Sequence, residues 1–156
     1  MVLVAAQMLI YPVLILLVGG FILLTVPRDH LRTLLPYGVV LGGLVDFLEC
    51  VVTGTLGITS FKNLWIFHAG GHPLLGDVAW AFIVVFYLYF WPKGNRYLGY
   101  LYALAFALLA TGFSQVVSQA ELFDYAPWFY PLPMFAIFLA RFALATWAAK
   151  RWGALD

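Results

Sequence analysis

Five long apolar segments, separated by short polar or charged stretches, restrict the fold of this chain more than any other feature of its sequence. A helix needs about 20 apolar residues to cross a hydrocarbon core about 30 Å thick. The segments lack the alternation of apolar and polar residues that marks the strands of a membrane β-barrel, so we expect helices. We therefore predict an all-α, polytopic transmembrane helix bundle that forms one domain over residues 1–156. The predicted spans are residues 2–26, 34–58, 73–91, 97–119 and 131–149.

The composition argues against a water-soluble domain. Of the 156 residues, 65% are hydrophobic and only 10% are charged, whereas soluble domains contain about 25% charged residues. The net charge of +1 gives no basis for binding nucleic acid. The lipid bilayer is therefore the expected partner. The sequence leaves open whether the chain also binds another membrane protein or a second copy of itself.

Basic residues are concentrated in alternate segments between the predicted spans. The other segments carry only Lys62, together with acidic residues. Because basic residues favour the cytoplasmic side of a membrane, we predict that the N-terminus lies outside and the C-terminus inside. The chain is then a multi-pass protein of the cell membrane. The six basic residues on the predicted inner side are Arg28, Arg32, Lys93, Arg96, Lys150 and Arg151.

Three charged residues lie in the middle of predicted spans, where a charge costs roughly 2.5–3.5 kcal/mol. Glu49 follows Asp46 by about one helical turn on the second span, and Arg141 lies at a similar depth on the fifth. We expect Asp46 or Glu49 within ion-pair distance of Arg141. The cluster either pins two helices together, or exchanges protons, since an acid left without a base in a low dielectric has a raised pKa. A water-filled cavity that solvates both acids is a third alternative.

A polar stripe follows helical spacing along the outer half of the fourth span. Gln115 and Ser118 are expected at the depth of Glu49, so these three residues, with Asp46 and Arg141, are the candidates for a binding pocket. That pocket would open outward beneath the region of Trp65 and Trp128. The alternative is that the stripe only forms hydrogen bonds between helices. The stripe consists of Thr111, Ser114, Gln115, Ser118 and Gln119.

The loop before the third span contains a candidate metal site. His68, His72 and Asp77 supply two imidazoles and a carboxylate, a ligand set typical of catalytic zinc. Gly70-Gly71 between the histidines argues against a helix there, so loop hydrogen bonding, helix capping by Asp77 or pH sensing are alternatives. The sequence assigns no cofactor.

Five short motifs are distributed over most of the chain. They are Asp46-Phe47-Leu48-Glu49, Leu64-Trp65, Gly76-Asp77, Pro92-Lys93-Gly94 and Trp128-Phe129. Together they resemble a family of small membrane proteins of endospore-forming Firmicutes. The resemblance implies a five-helix integral membrane fold and carries no activity, cofactor or site residue.

Three functional hypotheses follow from these observations. The leading one is a non-enzymatic membrane protein that binds a small ligand or serves as a subunit of a complex, because no catalytic motif is complete. The second is a transporter or proton-relay component that uses Asp46 and Glu49. The third is an outward-facing intramembrane metalloenzyme that uses His68, His72 and Asp77.

Overall fold

The described residues form five long helices and four short strands. The computed structural model describes residues 7–64 and 66–155. Trp65 and residues 2–6 of the first predicted span therefore lie outside the described residues. The helices are α1 (Ile10–Thr25), α2 (Arg28–Thr55), α3 (Leu74–Tyr89), α4 (Arg96–Gln119) and α5 (Leu132–Arg151).

The helix content confirms the all-α prediction, and three helices are long and apolar enough to cross a membrane. These are α2, α4 and α5, with 28, 24 and 20 residues. Helices α1 and α3 are apolar but have only 16 residues each, which corresponds to about 24 Å at the usual helical rise of 1.5 Å. Over the described residues, these two helices are therefore shorter than a hydrocarbon core about 30 Å thick.

Helix α2 begins six residues before the predicted span, and this is a correction to the sequence analysis. Residues Arg28, Asp29 and His30, expected in a loop, form its first turn instead. Pro27 precedes them with φ −57°, and its carbonyl accepts a hydrogen bond from the N–H of Leu31 at 2.9 Å. A proline at a helix start loses nothing, since the first N–H groups of a helix have no partner within it.

The middle of α2 is a π-helical segment, Gly38–Leu44, that packs against α3. It follows Pro36, which has no N–H to donate and so interrupts the regular ladder. A Cβ atom added at Gly42 would lie 2.4 Å from the carbonyl oxygen of Trp80, and one at Gly38 would lie 2.4 Å from that of Ala81. Glycine at both positions therefore allows the backbones of α2 and α3 to approach closely.

Two antiparallel ribbons lie at one end of the bundle, which we call the ribbon end. Strand β1 (Thr59–Phe61) pairs with β4 (Phe123–Tyr125), and β2 (His68–Ala69) pairs with β3 (His72–Pro73). No strands are expected from the sequence, and those in the structure occur only in the connections between helices. The β1–β4 ribbon joins the α2–α3 connection to the α4–α5 connection.

An exposed ion pair extends the β1–β4 ribbon. Nζ of Lys62 lies 2.9 Å from Oδ2 of Asp124, with both side chains about half exposed. The hydrogen bond from Lys62 lowers the pKa of Asp124, and the backbone N–H of Tyr125 and the charge of Lys62 act in the same direction. Such surface pairs contribute little to stability, so the ribbon depends mainly on its backbone ladder.

The start of α2, the α3–α4 connection and the end of α5 carry the basic residues of the opposite end, which we call the basic end. Contacts there join the start of α2, the α3–α4 connection and the end of α5. His30 packs edge-on against Tyr89 at 5.8 Å between ring centroids. Nζ of Lys150 lies 5.0 Å from the ring centroid of Trp91. These two contacts place His30 and Lys150, which are 120 positions apart in the sequence, on aromatic residues at or just after the end of α3.

We predict that Gly42→Ala destabilises the protein by roughly 1–3 kcal/mol, because the added methyl group would collide with the backbone of α3. Thermal unfolding of the purified protein in detergent measures this loss. Gly112→Ala on α4 is the matched control, since nothing lies within 4 Å of a Cβ atom there. Equal stability of the two variants would contradict the close approach of α2 and α3.

Candidate functional site

Arg141 is the centre of a buried ion cluster. Its side chain, near the middle of α5, is only 2% exposed. Nη1 lies 2.9 Å from Oδ1 of Asp46, and Nη2 lies 2.5 Å from Oε2 of Glu49. The ion pair that the sequence predicts is therefore confirmed, with both carboxylates as partners. The cluster joins α2 to α5.

The face of the Arg141 guanidinium packs on aromatic rings. Its Cζ atom lies 4.4 Å from the ring centroid of Trp80 and 5.4 Å from that of Phe138. The two rings stack on each other with centroids 5.3 Å apart. Cation–π contacts contribute about 0.5–1 kcal/mol at exposed sites and about 2 kcal/mol or more where water is excluded. Trp80 therefore brings α3 into the cluster.

His72 extends the cluster toward the ribbon end. It is 3% exposed, and its Nε2 lies 2.7 Å from Oδ1 of Asp77 and 3.7 Å from Oδ2 of Asp46. Its Nδ1 is buried without a hydrogen-bond partner. The ring of Phe61 packs edge-on against the imidazole at 4.8 Å. His72 thus lies between the carboxylates of α3 and α2.

The turn between β2 and β3 explains how a loop histidine reaches this depth. Gly70 and Gly71 have φ values of 57° and 77°, a left-handed conformation that favours glycine, and they reverse the chain before His72. His68, on the other strand of the ribbon, is exposed. The structure therefore brings His72 and Asp77 together and leaves His68 apart from them.

A cavity of about 80 Å³ lies beside the ion cluster. It has room for several water molecules, since a cavity of about 10–15 Å³ already holds one. Its polar wall comes mainly from α2, and the rest is largely aromatic. The polar wall consists of Tyr11, Asp46, Glu49, Cys50, Thr53, Thr59, His72 and Ser114, and the aromatic wall of Phe61, Trp80, Phe113, Phe123, Phe129 and Phe138.

The polar stripe of α4 is divided between the cavity and the ribbon. Ser114 lines the cavity, and Gln115 instead accepts a short hydrogen bond from the hydroxyl of Tyr125 on β4. Ser118 is half-buried and is not among the residues that line the cavity. Thr111 is buried, and its hydroxyl donates to the carbonyl of Ala107 at 2.8 Å. Of the stripe, only Ser114 contributes to the cavity wall.

Several cavity residues were not candidates in the sequence analysis. Cys50 lies four residues after Asp46, and Trp80 lies three residues after Asp77, so both share a helix face with a predicted site residue. Helical spacing could therefore have found these two. Tyr11 is a lone polar aromatic in the first apolar segment, and its spacing gives no comparable signal.

The cluster has more acidic groups than basic ones. Asp46, Glu49 and Asp77 supply three carboxyl groups, whereas Arg141 supplies one permanent positive charge. With all three carboxylates ionised, the cluster stays negative even when His72 is protonated. Burial makes an uncompensated charge costly, so this site favours a proton or another cation.

We predict that Arg141→Leu costs roughly 3–5 kcal/mol of stability, because it leaves the buried carboxylate of Asp46 and the half-buried carboxylate of Glu49 without their partner. The Asp46→Leu, Arg141→Leu double variant should lose much less than the sum of the two single losses. Thermal unfolding in detergent measures all three variants. Arg32→Leu, at an exposed position of α2, is the matched control and should change stability little. Strictly additive losses would show that Asp46 and Arg141 do not interact.

Comparison with known proteins supplies no relative from which a function can be transferred. No protein-family model, no curated protein and no solved structure matches this chain. The resemblance based on the five short motifs therefore stays a prediction. The function has to be argued from the geometry of the site.

Proposed function

We propose that this chain is a non-enzymatic, multi-pass protein of the cell membrane that binds a small cation in the cavity between α2, α3 and α5. The observation that carries the proposal is the imbalance of charge in the buried cluster. The cluster contains three carboxyl groups and one guanidinium beside a cavity of about 80 Å³. A cation small enough to enter this cavity would supply the missing positive charge.

The aromatic wall of the cavity supports a cationic ligand. Rings attract cations through their negative faces, and the face of Trp80 that meets Arg141 shows this interaction within the site. Asp46 and Glu49 are held in place by Arg141, and Asp77 by His72. Charges in fixed positions bind a ligand without first being reorganised.

The proposed orientation places the ribbon end outside the cell and the basic end inside. Its support is the positive-inside rule, together with the contacts of His30 and Lys150 with aromatic residues at the same end of α3. The cavity lies on the ribbon side of the ion cluster, with residues of β1, β3 and β4 in its wall. A ligand would therefore enter from outside.

A proton relay is the second candidate, and one observation favours it. Nε2 of His72 lies between a carboxylate oxygen of Asp77 at 2.7 Å and one of Asp46 at 3.7 Å. A histidine between two acids can accept a proton from one and pass it to the other. The step from Asp46 to Glu49 would then run beside Arg141, which contacts both carboxylates.

Cysteine labelling tests the orientation. In a Cys50→Ser background, we expect a membrane-impermeant thiol reagent to label Lys62→Cys in intact cells and to leave Arg151→Cys unlabelled. Both side chains are exposed at opposite ends of the bundle. Permeabilised cells, in which both positions should react, are the control. Labelling of Arg151→Cys in intact cells would refute the orientation.

Ligand-dependent stability tests cation binding. We expect at least one of potassium, ethylammonium and Zn²⁺ to raise the unfolding temperature of the purified protein, whereas ethanol, the neutral counterpart of ethylammonium, should not. A cation at 100 times its Kd stabilises a protein by about 2.7 kcal/mol. Glu49→Gln should weaken binding at least tenfold, while Glu121→Gln, at an exposed position near the ribbon end, should leave it unchanged.

The same experiment separates the two candidates. If none of these cations stabilises the protein, cation binding is refuted. Proton uptake by vesicles containing the protein, lost in Asp77→Asn, would then support the relay.

A further inference from the structure

The side chains beside the cavity include an unusual combination of donor atoms. A ring nitrogen of His72, the sulfur of Cys50 and a carboxylate oxygen of Asp46 all lie within 4.8 Å of one another. In a tetrahedral site with bonds of about 2.0–2.3 Å, donor atoms are about 3.5 Å apart. Small side-chain movements would therefore bring these three donors onto one ion.

We propose that Asp46, Cys50 and His72 bind one thiophilic divalent metal ion of the Zn²⁺ class. This inference rests on the proposed function, because it names the chemical class of the cation that the cavity would hold. Thiolate, imidazole and carboxylate together select Zn²⁺ and Co²⁺ over the hard ions Mg²⁺ and Ca²⁺, which prefer oxygen ligands. The cavity leaves room for water as a fourth ligand.

The unpartnered nitrogen of His72 is an independent observation that points to a ligand. His72 lines the cavity, and only 3% of its surface is exposed to solvent. Its Nδ1 atom has no hydrogen-bond partner. Its Nε2 lies 2.7 Å from an oxygen of Asp77, and an ionised carboxylate can only accept a hydrogen bond, so in the neutral imidazole Nε2 is the donor and Nδ1 carries the free electron pair. A metal-binding histidine commonly donates its other ring N–H to a carboxylate in this way. Asp77 therefore acts as a positioning residue for His72.

Charge compensation favours a divalent ion. Asp46, Glu49 and Asp77 carry three negative charges when ionised, and Arg141 carries one positive charge. The thiolate of Cys50 adds a fourth negative charge on binding, so a doubly charged cation lowers the net charge of these groups from −3 to −1, whereas a singly charged one would leave −2. Binding to Cys50 also replaces the proton of the thiol by the metal and releases that proton to water. Affinity should therefore rise with pH.

Cobalt absorption spectroscopy tests the site on the full chain in detergent, after removal of any affinity tag. Co²⁺ should bind once per chain and produce the sulfur-to-cobalt charge-transfer band together with the visible bands of a tetrahedral ion. Cys50 is the only cysteine of the chain, so that band can come only from its thiolate. Addition of Zn²⁺ should abolish both sets of bands by displacing the Co²⁺.

Variants separate the ligands from their neighbours. Cys50→Ser should remove the charge-transfer band, and His72→Gln should weaken Co²⁺ binding at least 100-fold. Asp77→Asn should weaken it about 10–100-fold while the band remains, as expected of a positioning residue. His68→Gln is the matched control, because His68 is exposed on the same ribbon and should have no effect.

Each outcome bears on the inference. A protein that binds Co²⁺ without the charge-transfer band, or is equally sensitive to His68→Gln and His72→Gln, would overturn the metal site. If ethylammonium or potassium still stabilises that protein, cation binding stands and only the metal assignment fails. If no cation binds, both fail together. The band of the unmodified chain decides the question even if a variant does not fold.

Discussion

Compensation of the charge on Arg141 is the constraint on which the rest of the structure depends. A charge in the middle of an apolar bundle is tolerated only with partners close by. Helix α2 supplies two carboxylates, and α3 supplies the ring face of Trp80. One side chain thereby fixes the relative positions of three helices. Arg141 carries one positive charge and can neutralise only one of the two carboxylates. The arrangement that holds the bundle together therefore also creates an anionic site.

The sequence predicts the helices and the central ion pair because both follow from periodicity and depth. Asp46, Glu49 and Arg141 occur in the middle of apolar segments, and antiparallel neighbours place such residues at the same level. His72 could not be placed in this way. Its burial depends on the left-handed turn at Gly70 and Gly71, which changes the direction of the loop without leaving a periodic pattern.

Rotation about a helix axis is the other property that the sequence leaves undetermined. Helical spacing predicts that the polar residues of α4 share a stripe, and it does not say what the stripe faces. In the structure Ser114 borders the cavity, while Gln115 bonds to Tyr125 on the ribbon. The start of α2 is a separate case. The charges of Arg28 and Asp29 suggest a loop, and only the backbone geometry at Pro27 shows that the helix begins there.

The separation of the ion partners along the chain has a consequence for biogenesis. Glu49 and Arg141 are 92 residues apart, and synthesis proceeds from the N-terminus. In a membrane, α2 would enter the bilayer with two acids before its basic partner has been made. Until α5 arrives, those acids have to stay protonated, hydrated or close to the insertion machinery. The ion cluster is therefore complete only once α5 has been made, and a chain that ends before α5 would keep two acids without their basic partner.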